Sequence, residues 1–156
     1  AMTPKRHGIQ QLLDAASAQA APGAEAKAIT LTVEPTDLTA RFDPKWTAEA
    51  LYNLVDNAVK YTPAGGAVTL RAVGYELFCR VDVTDTGPGI PSALRRTLFE
   101  RGASSKGHSR GTGLALVREV VEAYHGDIRV ESETGVGTSF FLSFRREPLP
   151  APKEEP

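Results

Sequence analysis

Two asparagines and a lysine in one segment of this sequence are spaced so that a helix would place them on the same face. Asn53, Asn57 and Lys60 stand at positions i, i+4 and i+7 within EALYNLVDNAVKYTP, residues 49 to 63. At about 3.6 residues per turn, a helix places all three on the face opposite its leucines and valine. Asparagine packs poorly inside a helix, while amide oxygens can hold Mg²⁺ and a lysine ammonium attracts phosphate. The set is consistent with a magnesium-phosphate site, and an amphipathic surface helix is the alternative.

The segment VTDTGPGI, residues 83 to 90, is compatible with two chemistries. Asp85-Thr86-Gly87 is the tripeptide that an aspartic protease carries at its catalytic strand end. That enzyme needs two such aspartates sharing a proton, and it prefers Ala or Ser where Pro88 stands. The same letters also suit a turn that brings backbone close to a nucleotide base. The protease interpretation leaves the helix with two asparagines unexplained, so the base-recognition turn is favoured.

The third segment with possible chemistry is GTGLAL, residues 111 to 116, which opens a helix. Glycines at a helix N-terminus can present free N–H groups to a phosphate. The dinucleotide fingerprint is incomplete because Leu116 stands where a third glycine or alanine is expected. A Walker A loop is excluded because His108 stands where the lysine must be.

Apolar periodicity predicts the elements that must position these segments. Asp43 is a predicted N-cap before Pro44, Thr62-Pro63 ends that helix, and Gly126 is placed at the C′ position of the last helix. Residues 21 to 23 are expected to end the first helix, and residues 102 to 110 read as a loop. The predicted helices cover 6–20, 44–61, a short stretch from about 91, and 111 to the segment before Gly126; the predicted strands cover 28–34, 39–43, 67–73, 77–85, 127–132 and 138–144.

Strands that come in hairpins predict an α+β fold, a two-layer sandwich with a mixed, mostly antiparallel sheet and helices on one face. We divide the chain into an N-terminal helix and linker (1–27), one globular domain (28–146) and a Pro-rich tail (147–156). Residues 1 to 20 are either the end of a connecting helix or the first helix of the domain itself.

Composition sets further bounds. The chain has 156 residues, 41% of them hydrophobic, and a net charge of −1, which gives no support for non-specific nucleic-acid binding. The single cysteine, Cys79, excludes an internal disulfide, fits a reducing compartment and is expected in the core. No segment is long and apolar enough to span a bilayer, and no signal peptide is visible.

Four segments in this order resemble one family. NLVDNAVKYTP resembles the N box, DTGPGI the G1 box, LFERG the F box and GTGLAL the G2 box of the catalytic ATP-binding domain of sensor histidine kinases. That domain belongs to the superfamily that also holds gyrase, Hsp90 and MutL. The resemblance covers about residues 28 to 145 and implies the Bergerat ATP-binding fold, with ATP and Mg²⁺ as ligands.

The resemblance implies a role for each matching position. Asn57 would ligate Mg²⁺ with Asn53 assisting, Lys60 would meet a phosphate, and these three are the expected catalytic residues. Asp85 would accept a hydrogen bond from the adenine amine, with Thr138 returning to the same end of the pocket. The other expected nucleotide contacts are Tyr61, Gly87, Gly89, Ile90, Lys106, Arg110, Gly111, Thr112, Gly113 and Leu114, while Phe99 would anchor the lid.

The resemblance also narrows the reaction. Relatives that hydrolyse ATP carry a glutamate where Asn53 stands, so this site is expected to transfer the γ-phosphoryl group rather than hydrolyse ATP quickly. None of the three histidines opens the His-Glu/Asp-x-x-x-Pro pattern of a phosphoacceptor. The expected partners are therefore a helical dimerisation and phosphoacceptor domain of the same kinase and a response regulator.

The parent protein is expected to be a homodimeric, membrane-anchored sensor, with this portion in the cytoplasm and without direct membrane contact. A stand-alone protein kinase of the anti-sigma-factor type and a non-catalytic nucleotide-binding scaffold are the alternatives.

Overall fold

A five-stranded sheet with helices on one face forms the core of the computed structural model. The structure describes residues 5–95, 97–98 and 109–147, and it leaves out the side chains of residues 109–113. The strands are β1 (Lys5–Gly8), β2 (Thr30–Val33), β3 (Thr39–Phe42), β4 (Ala67–Gly74), β5 (Phe78–Asp85), β6 (Asp127–Glu133) and β7 (Gly137–Arg145), and the helices are α1 (Ile9–Ala26), α2 (Pro44–Tyr61), α3 (Ser92–Arg95) and α4 (Ser109–Glu122).

The sheet runs in the order β2-β4-β5-β7-β6. Strand β2 pairs with β4 in parallel, and the remaining pairs are antiparallel. Strands β1 and β3 form a separate antiparallel pair. The predicted α+β fold with a mixed, mostly antiparallel sheet is therefore confirmed.

Helix α2 begins and ends where its sequence predicts. The Asp43 carboxylate accepts a hydrogen bond from the backbone N–H of Trp46 at 2.9 Å, and Pro44 occupies the first turn. Both features favour a helix start at this point. The apolar side of the helix is fully buried, with Leu51, Leu54 and Val55 at 0% exposure, so the polar side faces away from the core.

The prediction for the N-terminal helix was wrong at both ends. Residues Lys5–Gly8 form strand β1 against β3, with Arg6 opposite Arg41, and this pairing has no local sequence signal. Helix α1 also continues through Pro22 to Ala26. Its apolar stripe from Ile9 to Ala24 is buried, and this burial outweighs the hydrogen bond that proline removes. The helix packs on α2, while the boundary we placed at residue 27 stays a prediction.

Two helices end in the same backbone motif without a glycine at its left-handed position. After α1, Ala28 donates to Glu25 and Ile29 to Ala24, and Ala28 has φ +60°. After α4, the corresponding residue with positive φ is His125 at +63°. These paired bonds are those of a Schellman motif, whose C′ residue is usually glycine.

The prediction that Gly126 occupies the C′ position was wrong by one residue. Gly126 follows His125 and donates to the Val121 carbonyl at 3.0 Å. A Cβ at Gly126 would lie 2.2 Å from the backbone oxygen of Ser143. The glycine is therefore required by the close approach of β7 and not by a left-handed conformation.

Replacing Ala28 by glycine should stabilise the fold. The left-handed conformation costs a non-glycine residue about 1–2 kcal/mol, and part of this gain is offset by the greater freedom of glycine in the unfolded chain. We expect the free energy of unfolding in urea to rise by about 0.5–1 kcal/mol. The matched control is Ala15→Gly, in an exposed interior position of α1, which should lower it by about 1 kcal/mol. Equal losses in the free energy of unfolding of both variants would contradict the left-handed conformation assigned to residue 28.

Candidate nucleotide-binding site

The C-terminal end of α2 meets the turn that follows β5. A Cβ on Gly87 would lie 3.3 Å from the Tyr61 carbonyl oxygen and 3.4 Å from the Thr62 hydroxyl. On the other side of the turn, Thr86 donates its N–H to the Ala67 carbonyl at 3.1 Å, and the Thr86 hydroxyl accepts from the Ala67 N–H at 3.0 Å. The turn is therefore fixed between the end of α2 and the start of β4.

Asn53 and Asn57 stand on the non-core side of α2, and both are half-buried. A rise of about 1.5 Å per residue places Asn57 about 6 Å and Asn53 about 12 Å along the axis from Tyr61. The two amides therefore follow one another away from the turn. Tyr61 itself is 40% exposed and leaves an aromatic surface at this end of the helix.

Lys60 projects from the same end of α2 and is paired with Asp56. Its ammonium lies 2.9 Å from the Asp56 carboxylate, and the lysine side chain is 59% exposed. The hydrogen bond and the charge of Asp56 raise the pKa of Lys60, so the ammonium stays positive. Sequence reasoning did not predict this ion pair, although the i, i+4 spacing of Asp56 and Lys60 is a known signal for one.

One carboxylate oxygen of Asp85 joins three segments. Its Oδ1 accepts the N–H of Gly87 at 2.9 Å and the N–H of Thr138 at 3.3 Å. The first bond closes the turn after β5, and the second ties that turn to β7. The structure therefore brings Asp85, Gly87 and Thr138 together, as the sequence predicted.

Ser132 is a positioning residue that sequence reasoning did not find. Its hydroxyl accepts the N–H of Ile90 at 2.6 Å and lies 3.0 Å from the Thr138 hydroxyl. It thus joins the end of the turn to β6 and β7. Only the pairing of distant strands brings this hydroxyl to Ile90, so no motif marks it.

Two glycines allow the turn to approach its neighbours. Gly89 has φ +86°, and a Cβ there would lie 2.7 Å from the Glu133 carbonyl oxygen. A Cβ at Gly137 would lie 2.1 Å from the Asp85 carbonyl oxygen. Any larger residue at either position would push the turn away from β6 or β7.

The remaining predicted contacts divide into three groups. Ile90 and Leu114 are buried in the hydrophobic core, and a contact of either with a ligand stays a prediction. Arg110, Gly111, Thr112 and Gly113 lie in the first turns of α4, which begins at Ser109. The predicted loop to residue 110 was therefore too long by two residues. Lys106 and Phe99 lie outside the described residues.

The donors available to a metal are amides rather than a cluster of acidic or imidazole groups. Within the described part of the chain, no group of three or more His, Cys, Asp or Glu side chains could hold a metal ion. Mg²⁺ is commonly held by one or two protein oxygens together with phosphate oxygens and water. Asn53 and Asn57 fit that requirement, because they offer two neutral oxygens on adjacent turns.

A cavity of about 480 Å³ also contacts Asp85 and Thr138. Its other lining residues include Thr84, Glu131 and Ser139, which belong to the face of the sheet away from the helices. No residue of α2 lines it. It is therefore distinct from the surface of α2 that carries Asn53 and Asn57.

Comparison with known proteins identifies the family. Residues 42–148 match the family described as histidine kinase-, DNA gyrase B- and HSP90-like ATPase. The chain is 40% identical over 131 residues to the adaptive-response sensory kinase SasA of Synechococcus sp. (strain JA-3-3Ab). This alignment covers 78% of this chain and 34% of that protein. The chain belongs to this family of ATP-binding domains, and it spans about a third of the length of SasA.

Two solved structures share the fold. Full-length ShkA in complex with AMPPNP aligns with a TM-score of 0.83 and 30% identity, covering 97% of this chain and 33% of that chain. Histidine kinase ThkA in complex with the response regulator protein TrrA aligns with a TM-score of 0.81 and 22% identity, covering 94% of this chain and 43% of that chain. The relatives are sensor histidine kinases, and the predicted fold is that of their catalytic domains.

Removing the Ser132 hydroxyl should weaken the turn that holds Asp85. In Ser132→Ala the buried N–H of Ile90 loses its partner, so we expect the free energy of unfolding to fall by about 1–2 kcal/mol. Urea denaturation measures the change. The matched control is Ser143→Ala on β7, since the Ser143 hydroxyl is half-buried and has no hydrogen bond within the described residues. If both variants lose the same stability, Ser132 has no special role.

Proposed function

We propose that this chain is the ATP-binding catalytic domain of a sensor histidine kinase, which passes the γ-phosphoryl group of ATP to a histidine on a separate helical domain. The proposal rests on the positions of Asn57 and Asn53, which follow one another along α2. The end of that helix contacts the turn that Asp85 holds in place. One helix thus spans the distance from a base-recognition turn to two metal-binding amides.

Adenine recognition is assigned to the turn after β5. The Asp85 carboxylate is oriented by two backbone N–H groups, so it needs little reorganisation to accept a hydrogen bond from an exocyclic amine. Guanine presents a carbonyl oxygen at that position, and a carboxylate would repel it. This chemistry supports ATP over GTP, and ShkA, which has 30% identity to this chain, was solved with the ATP analogue AMPPNP.

Phosphate binding is assigned to the opposite direction along α2. Asn57 and Asn53 would hold Mg²⁺, which would neutralise phosphate charge, while Lys60 would contact a phosphate oxygen. Because Asp56 already holds the Lys60 ammonium at 2.9 Å, the lysine must exchange this partner for the phosphate or share it. The exposed position of the pair makes that exchange inexpensive.

The reaction proposed is transfer rather than hydrolysis. A histidine nitrogen would form a bond to the γ-phosphorus while the bond to the bridging oxygen of ADP breaks. An asparagine at position 53 cannot remove a proton from water, so water is not activated there. Catalysis would then consist of positioning and charge neutralisation.

The partners proposed follow from this reaction. The acceptor histidine would lie on a helical dimerisation domain of the same kinase, and a response regulator would receive the phosphoryl group. ThkA, which shares the fold, was solved in complex with the response regulator protein TrrA. Within the described residues, no helix is long and apolar enough to cross a membrane. Attachment of the parent protein to a membrane remains a proposal.

Calorimetric titration with a non-hydrolysable ATP analogue, with and without Mg²⁺, tests the pocket. Asp85→Asn should weaken binding about 10-fold or more, because hydrogen bonds to charged groups contribute about 1.5–3 kcal/mol. Asn57→Ala should remove the Mg²⁺ dependence and leave metal-free binding unchanged. The matched control is Asp37→Asn, at an exposed position between β2 and β3, which should bind like wild type.

Failure of the folded wild type to bind the analogue would contradict the kinase proposal and would leave only a scaffolding role that needs no nucleotide. Urea denaturation of each variant establishes that it is folded at the titration temperature. Phosphate release from ATP on the same samples should stay near background. Rapid release that Asn57→Ala abolishes would contradict the assignment of Asn53.

Lys60→Met should reduce affinity for the triphosphate and leave affinity for adenosine unchanged. We expect a loss of about three- to tenfold that shrinks as salt is added, because an exposed charge is screened. The matched control is Lys45→Met, at the other end of the same helix, where the ammonium lies 5.9 Å from the centre of the Trp46 ring. An equal loss for adenosine would show that Lys60 acts on the fold and not on phosphate.

A further inference from the structure

The helices cover only one face of the sheet, and the other face carries a groove that the proposed function does not use. We define the open-face groove by Tyr75, Leu77, Phe78, Arg80, Phe141 and Arg145, which line a cavity of about 630 Å³. It runs from the β4–β5 turn across β5 and β7 towards β6. The nucleotide site lies on the helix side of the sheet, so the two are separate.

Exposed apolar side chains are concentrated at one end of this groove. Leu77 is 64% exposed, Tyr75 40% and Phe78 36%. The rings of Tyr75 and Phe78 stack with their centres 4.7 Å apart. Contiguous exposed apolar surface of this kind marks an interaction site more often than scattered single residues do.

The floor of the groove is held rigidly. Arg80 makes two hydrogen bonds, at 2.7 and 2.9 Å, to the Asp82 carboxylate, which is 3% exposed. Its guanidinium also donates to the Tyr75 hydroxyl at 3.1 Å and lies 4.6 Å from the centre of the Phe141 ring. A surface fixed in this way loses little conformational entropy when it binds a segment.

We propose that residues 148–156 of this same chain, PLPAPKEEP, bind in the open-face groove. Prolines at alternate positions from 148 to 152 favour the extended polyproline II conformation, which binds grooves lined by aromatic rings. Pro150 and its neighbours would contact Tyr75, Leu77 and Phe78.

The acidic end of the segment complements one arginine of the groove. Glu154 and Glu155 would face Arg145; Arg129 also lines the cavity but is already paired with Asp127 at 2.9 Å. Arg145 donates to the backbone oxygen of Glu147 and has no carboxylate partner among the described residues. Arg145 is the register partner of Phe78, so an acidic end that follows a proline-rich stretch could reach this arginine while the prolines contact the aromatic rings.

The chain leaves the sheet at the entrance to the groove. The N–H of Arg146 donates to the Leu77 carbonyl at 3.2 Å, and its guanidinium donates to the Tyr75 carbonyl at 3.0 Å. The segment after Glu147 spans about 28 Å at roughly 3.1 Å per residue, while β5 and β6 are two strand spacings, about 10 Å, apart. The ion pair of Glu147 with Arg6 joins two exposed side chains, and such pairs contribute little.

A spin label near the end of the segment tests the proposal in the full chain. Cys79 is fully buried, and burial raises the pKa of its thiol, so a label directed to Pro156→Cys should attach at one site and leave both glutamates in place. Amide signals of Leu77, Phe78 and Arg129 should lose intensity about twofold or more, because the tether gives the segment a high effective concentration at the groove. Signals of Leu12 in α1, on the helix side, should keep their intensity.

Two matched substitutions in the labelled protein decide the assignment. Leu77→Asp should restore the lost intensity, while Val136→Asp should not, since Val136 is equally exposed, at 59%, but lies in the β6–β7 turn outside the groove. Losses spread evenly over the surface, losses centred on Arg6, or losses that persist in Leu77→Asp would overturn the proposal.

Discussion

A single oxygen of the Asp85 carboxylate fixes the geometry on which the site depends. It accepts N–H groups from the turn after β5 and from β7, so the end of one strand is locked to the start of its neighbour. Gly137 makes this possible because it has no Cβ to meet the Asp85 carbonyl oxygen. The end of α2 packs on the same turn, so the turn at Asp85 and the two amides of that helix belong to one connected region.

The parts of the fold that depend on local signals could be predicted from the sequence. The cap at Asp43, the proline after it and the Thr62-Pro63 stop all lie within or beside α2, and its bounds were predicted correctly. Strand β1 and the last two turns of α1 could not be predicted, because pairing with β3 and burial against α2 decide them. The left-handed C′ residue was predicted at Gly126 but is His125. The two adjacent residues both take part in the end of the helix, and the sequence does not show which one has the positive φ.

The candidate site likewise has residues that local sequence signals predict and one residue that only distant contacts bring into place. The spacing of Asn53, Asn57 and Lys60 is visible within one helix, and the turn at Asp85 has its own glycines. Ser132 could not be found, because its hydroxyl reaches Ile90 only after β6 and β7 have paired. The family match over residues 42–148 supports the set as a whole, while the role of each residue depends on the experiments described above.

The parallel pairing of β2 with β4 has a consequence for folding kinetics. Thr30 pairs with Ala67, so the connection that closes this edge of the sheet contains both β3 and α2. Such distant pairings form slowly. The crossover closes where Thr30 donates to the Gly66 carbonyl and Gly65 donates to the Ala28 carbonyl, directly after the end of α2. If this closure follows the folding transition state, a nucleotide held at that end should slow unfolding more than it speeds folding.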